Sequence, residues 1–343
     1  MKNILVTGGL GFIGGNFLLY ASQKYPNYNF VNLDKETYAA NLELKETFST
    51  IKNIVNIKGD IVDFDLVDGI FKEYSIDGVI HFAAESHVDN SINGPRVFFE
   101  SNVMGTYNLI DCARRHWIEK PGVPKSGFES ARFHHVSTDE VFGSLDVDGY
   151  FNENTPYNPK NPYSASKAGS DFIVKSFAHT YGMNTVVTNC SNNYGPWQNN
   201  EKLIPTIISK AISGKEIPIY GDGSNIRDWL HVTNHCYAID KVFHQGANNE
   251  TYNVGTWNEV SNLDLAQKIC EILDDVKGKN NGVSYKDQIR FVADRPGHDR
   301  RYAIDASKLE KELGYSAKMS FDEGLKETIQ WYLNRSNTCE NTL

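Results

Sequence analysis

Short β-branched apolar runs recur along the first half of the chain, each followed by a stretch with helical spacing: Ile4–Val6, Phe30–Leu33, Ile54–Ile57, Gly78–Phe82, Phe133–Val136 and Val186–Thr188. Strands that are apolar on both faces need a helix on each side. The alternation therefore predicts a parallel sheet joined by right-handed crossovers, the doubly wound Rossmann-type α/β architecture. Two long helical stretches, Pro95 to Trp117 and Tyr163 to Tyr181, each begin near a proline. Glu119 to Ser130, with two Pro and two Gly, reads as a surface loop. After Cys190 the rhythm breaks into Gly-, Pro- and Asn-rich turns between helices and short strands, the pattern of a smaller mixed α/β substrate-binding subdomain. The expected division is residues 1–190 for the sheet domain, with later segments returning to it, 191–335 for the subdomain and 336–343 for a flexible tail.

Charge narrows the partners. With 43 acidic against 34 basic residues the chain carries a formal charge of -9, and its Lys and Arg are scattered, so no nucleic-acid footprint is expected. The N-terminus enters a strand pattern at Ile4, and no apolar run reaches the roughly 18 residues that span a bilayer. A cytoplasmic protein with no membrane contact is the expectation. Five widely spaced cysteines (Cys112, Cys190, Cys236, Cys270, Cys339) fit neither a disulfide framework nor a metal site. They are expected to be reduced, with Cys112 and Cys190 packed inside, and no metal is expected.

The first strand runs into Gly9-Leu10-Gly11-Phe12-Ile13-Gly14, a G-x-G-x-x-G string directly before a helical pattern. In that context Gly9 is expected to make the tight turn, Gly11 to let the backbone approach a pyrophosphate, and Gly14 to let helix and strand pack closely. The pyrophosphate would rest on amide N–H groups at the helix N-terminus. The second strand ends at Asp34, twenty residues after Gly14, where a carboxylate accepts ribose hydroxyls and repels a 2′-phosphate. This favours NAD over NADP. The bland alternatives are a structural turn for the glycines and a helix cap for Asp34.

At the end of the fifth strand stands Ser137-Thr138-Asp139-Glu140, and 25 residues after Thr138 comes Tyr163-Ser164-Ala165-Ser166-Lys167. Tyr163 and Lys167 share a helix face. A phenol ordinarily ionises near pH 10, but a neighbouring ammonium and a nicotinamide cation would favour the phenolate and make Tyr163 a base. Such a pair is more often an ordinary surface pair, and Asp139-Glu140 alone would be a solvated turn. Both stretches, however, are expected beyond the carboxyl ends of the strands, where ligands of open parallel sheets bind.

These residues resemble the extended short-chain dehydrogenase/reductase superfamily, with its glycine-rich first turn and Tyr-x-x-x-Lys pair. Phe133-His134-His135-Val136-Ser137-Thr138-Asp139-Glu140-Val141-Phe142-Gly143 is similar to the signature of the dTDP-glucose 4,6-dehydratase family, although Phe142 stands where many relatives have Tyr. Similar blocks follow in order: His81 to Asp89, Ser191 to Pro196, Lys202 to Pro205, Ile226 to Trp229 and Arg295 to Asp299.

The resemblance implies an NAD-dependent hydro-lyase of nucleotide-sugar and deoxysugar metabolism. Its catalytic set would be Thr138, Asp139, Glu140, Tyr163 and Lys167, with Tyr163 taking the O4 proton, Thr138 bonding the developing carbonyl, Glu140 taking the C5 proton and Asp139 protonating the C6 hydroxyl. For that, one carboxyl must be protonated and the other ionised. NAD contacts carried over are Gly8, Gly9, Gly11, Phe12, Ile13 and Gly14 in the first turn and Asp34, Lys35 and Thr37 after the second strand. Asp60, Ile61, Phe82, Ala83, Ala84, Ser86 and Ser101 follow from the next segments, then Tyr163, Lys167 and Asn193. Sugar-nucleotide contacts are Ser86, Thr138, Asn192, Lys202 and Leu203, then Pro218, Tyr220, Arg227, Asn262, Arg295 and His298. For each charged residue of that second half a plain surface charge is the competing reading.

The substrate implied is dTDP-glucose, and a homodimer through the two long helices is implied as well. A C4-epimerase shares Tyr163 and Lys167 but has no use for Asp139 and Glu140. A dehydratase of another nucleotide sugar differs only in its base pocket, and a non-catalytic NAD sensor would not need the catalytic set.

Overall fold

The computed structural model describes residues 2–280, 282–294 and 298–340, with side chains as far as Arg335. Its centre is a parallel sheet of seven strands: β1 (Asn3–Thr7), β2 (Asn29–Asp34), β3 (Ile54–Lys58), β4 (Gly78–His81), β5 (Arg132–Thr138), β6 (Thr185–Cys190) and β7 (Glu250–Val254). The order across the sheet is β7-β6-β5-β4-β1-β2-β3, so the chain reverses direction of growth between β1 and β4. That reversal is the switch point at which doubly wound sheets open a ligand crevice. The six apolar runs read from the sequence are the first six strands. The seventh, Glu-Thr-Tyr-Asn-Val, pairs with β6 from Glu250↔Val186 to Val254↔Cys190.

Helices cover both faces of the sheet, which is why most of its strand residues are buried whichever way they point. One layer buries Leu5, Val31, Val79, Phe133 and Val187 against Leu109, Trp117 and Val174. The other packs Ile4, Val6 and Ile80 on Phe17, Leu18, Ile239 and Phe243. The helix Phe243 belongs to, Val232–Gln245, comes from beyond Cys190 and returns to the sheet with β7.

The stretch from Pro95 to Trp117 is one continuous rod with a flaw. Regular α-helix at Pro95–Phe98 and Thr106–Trp117 flanks a wider π-helical segment, Phe99–Gly105. Such insertions mark functional sites, and this one carries Ser101 to the wall of the central cleft. Gly105 closes it against Ile61, whose Cδ1 would lie 2.4 Å from any Cβ there. Within the expected loop Glu119 to Ser130, Ile118–Lys120 and Val123–Pro124 form a short antiparallel pair.

The smaller unit has its own core, in which Tyr194, Ile207, Ile219, Trp229, Leu265 and Ile329 meet. It is built on a three-stranded sheet (Asn192–Tyr194, Ile226–His231, Glu259–Ser261), a parallel pair (Ile217–Tyr220, Ile289–Val292) and the helices Leu203–Ile212, Asn262–Lys277 and Phe321–Glu340. The last helix runs through the first residues of the stretch read as a tail. Its Tyr332 Oη donates to the Gln198 carbonyl oxygen, and its Arg335 pairs with Glu43 and lies 4.6 Å from the ring centres of both Trp197 and Trp331. Cys112, Cys190, Cys236 and Cys270 are buried free thiols, and among the described residues no helix is long and apolar enough to cross a membrane.

Candidate active site

A cleft of about 330 Å³ opens over the carboxyl ends of β1, β2, β4, β5 and β6, bringing together residues from Gly8 to Lys202. At its floor the chain leaves β1 with Gly8 at φ +73°, a backbone conformation that side chains disfavour. A Cβ on Gly8 would come within 2.8 Å of the Ala83 backbone. The left-handed turn is thus made by Gly8, not by Gly9 as the motif suggested. Gly9 is small for another reason: its N–H donates to Asn32 Oδ1 (3.0 Å), and a Cβ would strike that oxygen at 2.3 Å. Asn32 in turn donates to Asn56 Oδ1 (2.9 Å), so the turn is bolted to β2 and β3. Gly14 packs as expected, since its Cβ would sit 2.4 Å from the Gly8 carbonyl oxygen.

At the end of β2, Asp34 accepts from the backbone N–H groups of Leu10 (2.9 Å) and Glu36 (2.8 Å). Burial raises its pKa, and those two donors act the other way. Lys35 is paired with Asp60 at 2.7 Å. Behind the cleft His81 bridges Thr7 Oγ1 (2.7 Å) and Thr106 Oγ1 (2.9 Å), fixing β1, β4 and the long helix in register. Phe12, Ile13, Thr37, Ile61, Phe82, Ala84, Ser86 and Asn193 line the walls with the residues above. Gly9 itself does not.

Thr138, Asp139, Glu140, Tyr163 and Lys167 converge on the opposite wall. The helix Pro162–Tyr181 starts with a capping box between Asn161 and Ser164. Its first turn is thereby fixed where β5 ends. Thr138 caps the 3₁₀ turn Asp139–Phe142, its Oγ1 accepting from the Glu140 N–H at 3.3 Å. Lys167 Nζ donates to the Val136 carbonyl (2.9 Å) from full burial, which lowers its pKa.

Of the two adjacent carboxyls, Asp139 is the one shut away from solvent. Asp139 is 2 % exposed, and its Oδ2 has no hydrogen-bond partner. Burial first, then Glu140 and Asp228, push it well above the usual carboxylate range, so it is held as the neutral acid. The expected Tyr163 phenolate rests on the Lys167 ammonium and a nicotinamide cation together. In the protein alone burial, reinforced by Glu140, drives the phenol well above 10, with the Thr138 hydrogen bond acting the other way. Lys167 by itself does not create the phenolate.

Of the expected sugar-nucleotide residues, Ser86, Thr138, Asn192 and Lys202 line the cleft, and Lys202 Nζ donates to the Ser86 carbonyl at 3.2 Å. Leu203, Pro218, Tyr220, Arg227, Asn262 and His298 lie outside its walls, on the smaller unit. Two of them touch, Tyr220 meeting His298 edge-on at 6.4 Å, while Arg227 donates to the Asp299 carbonyl (2.9 Å) and the Asn262 N–H to the Asn225 carbonyl. Arg227 is not a surface cation; it is 5 % exposed and stacks 4.3 Å over Tyr302. Arg295 lies outside the described residues. Ser137, Cys190 and Ser191, given no role at the site by sequence reasoning, also line the cleft from the ends of β5 and β6; their position at a strand's carboxyl end was the signal for it.

A glycine-turned nucleotide crevice facing a Tyr-Lys pair defines a short-chain dehydrogenase/reductase of the extended type. The family model described as GDP-mannose 4,6 dehydratase matches residues 5–328. The dTDP-glucose 4,6-dehydratase of Xanthomonas campestris pv. campestris (strain B100) is 48% identical over 343 residues, covering 100% of this chain and 96% of that protein. Among solved structures, the dTDP-glucose 4,6-dehydratase of Bacillus anthracis str. Ames in complex with NAD superposes with a TM-score of 0.86 at 42% identity, covering 98% of each chain. That of Streptomyces venezuelae with NAD and dTDP bound gives 0.86 at 41%, again over 98% of each. The chain belongs to the nucleotide-sugar 4,6-dehydratase family, and within it to the dTDP-glucose 4,6-dehydratases.

Proposed function

We propose that this protein is a hydro-lyase that converts dTDP-glucose to its 4-keto-6-deoxy sugar and water, using NAD. The observation that carries the reading is the buried, neutral Asp139 next to Glu140 on the wall that also presents Thr138, Tyr163 and Lys167. An epimerase has no step for such an acid. Gly11 leaves backbone bare at the start of the helix Phe12–Lys24, with Gly8 and Gly14 letting the turn close beside it, which suits a pyrophosphate, and Asp34 suits the adenosine ribose. Lys35, Thr37, Asp60, Ile61, Phe82, Ala83, Ala84, Ser101 and Asn193 would complete that hold. Bound NAD supplies the acceptor, and later the donor, of one hydride, together with the positive charge that favours the Tyr163 phenolate.

Tyr163 takes the proton from O4 while Thr138 hydrogen-bonds the carbonyl that forms at C4. That carbonyl acidifies the C5 proton, which Glu140 removes as Asp139 gives its own proton to the departing C6 hydroxyl. The proton on Glu140 returns to C5 when C6 is reduced. Residues up to Cys190 with the returning segment Val232–Val254 would bind the cofactor. The remainder of 191–335 would bind the nucleotide through Asn192, Lys202, Leu203, Pro218, Tyr220, Arg227, Asn262, Arg295 and His298. A cytoplasmic enzyme supplying a deoxysugar fits this reading. The test is purified protein incubated with dTDP-glucose, UDP-glucose in parallel, with product mass followed. Loss of one water from dTDP-glucose alone is expected; a galactose epimer of unchanged mass would overturn the proposal.

The same reading includes a homodimer. Val97, Phe99, Met104, Tyr107 and Phe172 stand exposed on the two long helices, whose Tyr107 and Phe177 rings touch edge-on. Exposed apolar side chains on two adjoining helices suit association with a second copy. Sedimentation velocity should give a dimer, and a monomer at every concentration would refute it.

A further inference from the structure

Directly behind the catalytic wall lies a carboxylate that the reaction does not use. Asp171 is fully buried, four residues after Lys167 and four before Lys175, on the face of the helix that begins with Tyr163. Its Oδ2 accepts from Ser137 Oγ (2.9 Å), Tyr157 Oη (2.9 Å) and Asn189 Nδ2 (3.4 Å), and its Oδ1 lies 3.1 Å from His135 Nε2. Three donors on one oxygen favour the ionised form, and the Asp171 pKa stays lowered despite its burial.

The donors are not arbitrary residues. Ser137 stands between Val136, whose carbonyl holds Lys167, and Thr138, and the Asn189 amide that reaches Asp171 also donates to the Thr138 carbonyl at 3.1 Å. We propose that Asp171 is a positioning residue: a fixed negative charge that keeps Lys167 in its ammonium form and clamps the strand end carrying Thr138 to the catalytic helix.

The groups facing Lys167 leave this role to Asp171. Tyr163 on its own helix has its phenol pushed up by burial. His81 on β4 and His135 on β5 are held neutral by burial, and Cys190 on β6 is pushed up to about 12. Lys175, one turn beyond, shares Asp171's field but donates to Tyr157 Oη at 3.2 Å. Burial alone drives Lys167 toward losing its proton, and Asp171 is the first opposing influence.

Catalytic relevance rests on the dehydratase reading; the charge balance does not. Cofactor-free protein is therefore acetylated with acetic anhydride across a pH series, and labelling of Lys167 is read by peptide mass. Asp171→Asn should move the labelling midpoint down by about one pH unit or more. The alkaline limit of C4 oxidation should follow it. An unchanged midpoint with merely lower activity would overturn the proposal, because a packing role alone does not titrate Lys167. If Asp171→Asn does not fold, Asp171→Ser removes the same charge with a smaller side chain and should shift the midpoint the same way, and no shift there overturns the proposal equally. A shifted midpoint in a protein that leaves dTDP-glucose intact would sustain the charge role and sink the substrate reading instead.

Discussion

Tyr163→Phe abolishes C4 oxidation, whereas Asp139→Asn and Glu140→Gln leave it in place and stop the reaction one step later. The separation follows from where the three groups sit. The Tyr163 phenol bonds Thr138, where the carbonyl develops, while Asp139 is a neutral acid by virtue of its own burial. An amide at 139 keeps the shape but has no proton to give to a leaving hydroxyl, and an amide at 140 cannot accept one. Each loss should cost about 10²–10⁴ in the rate of water release. In single turnover, reduced-nicotinamide absorbance should appear and persist in both carboxylate variants and be absent in Tyr163→Phe. Deuterium from solvent should enter C5 far more slowly in Glu140→Gln. If Asp139→Asn slowed the first absorbance change as much as it slowed water loss, its assignment as the acid for C6 would fall.

Stability should collapse between pH 6.5 and 5, well above the range in which most carboxylates titrate. His81, His134, His135, His231 and His235 are all buried and neutral, with folded pKa values lowered chiefly by desolvation: to about 4 for His135 and His231, to about 3 for His235, and well below the usual imidazole value for His81 and His134. Their unfolded counterparts titrate near 6.5. Below that pH the unfolded chain binds protons that the folded chain refuses, so stability is complete above pH 6.5 and drains as pH falls toward the folded values. Each group contributes about 1.4 kcal/mol per pH unit across its window. Asp34, Glu85, Asp139, Asp228 and Glu327, whose folded pKa values are raised, work in the opposite direction and offset part of this loss. The gross imidazole contribution is comparable with the whole stability of a domain. Urea midpoints measured at pH 7.5, 6 and 5 should fall steeply across the last two; midpoints that stay level would show that these imidazoles accept protons without unfolding.

Sheet and catalytic wall were legible for the same reason: strands buried on both faces must be β-branched, and groups at their carboxyl ends meet at one crevice. What stayed hidden depended on partners remote in sequence. Glu250–Val254, Glu-Thr-Tyr-Asn-Val, holds too few apolar residues to stand out as a buried run and is recognised only with β6 beside it. The positive φ of Gly8 is set by the closeness of Ala83, not by the motif. Tyr163 and Lys167 could be paired by spacing, yet their protonation is governed by burial, which spacing does not report. Asp171 lay in plain view four residues beyond Lys167, but its meaning came only with Ser137, Tyr157 and Asn189.

The late arrival of β7 bears on how the molecule is made. As the chain leaves the ribosome, the outer edge of β6 stays unpaired until residues 250–254 emerge, and the intervening residues build most of a second core. An open edge flanked by Val186 and Val187 invites pairing with a neighbouring nascent chain. A fragment ending at Cys190 is therefore expected to aggregate, and split expression of the two halves to yield no functional complement. Such a chain gains from slow, chaperone-sheltered synthesis, since its long-range closure is the step most open to competition.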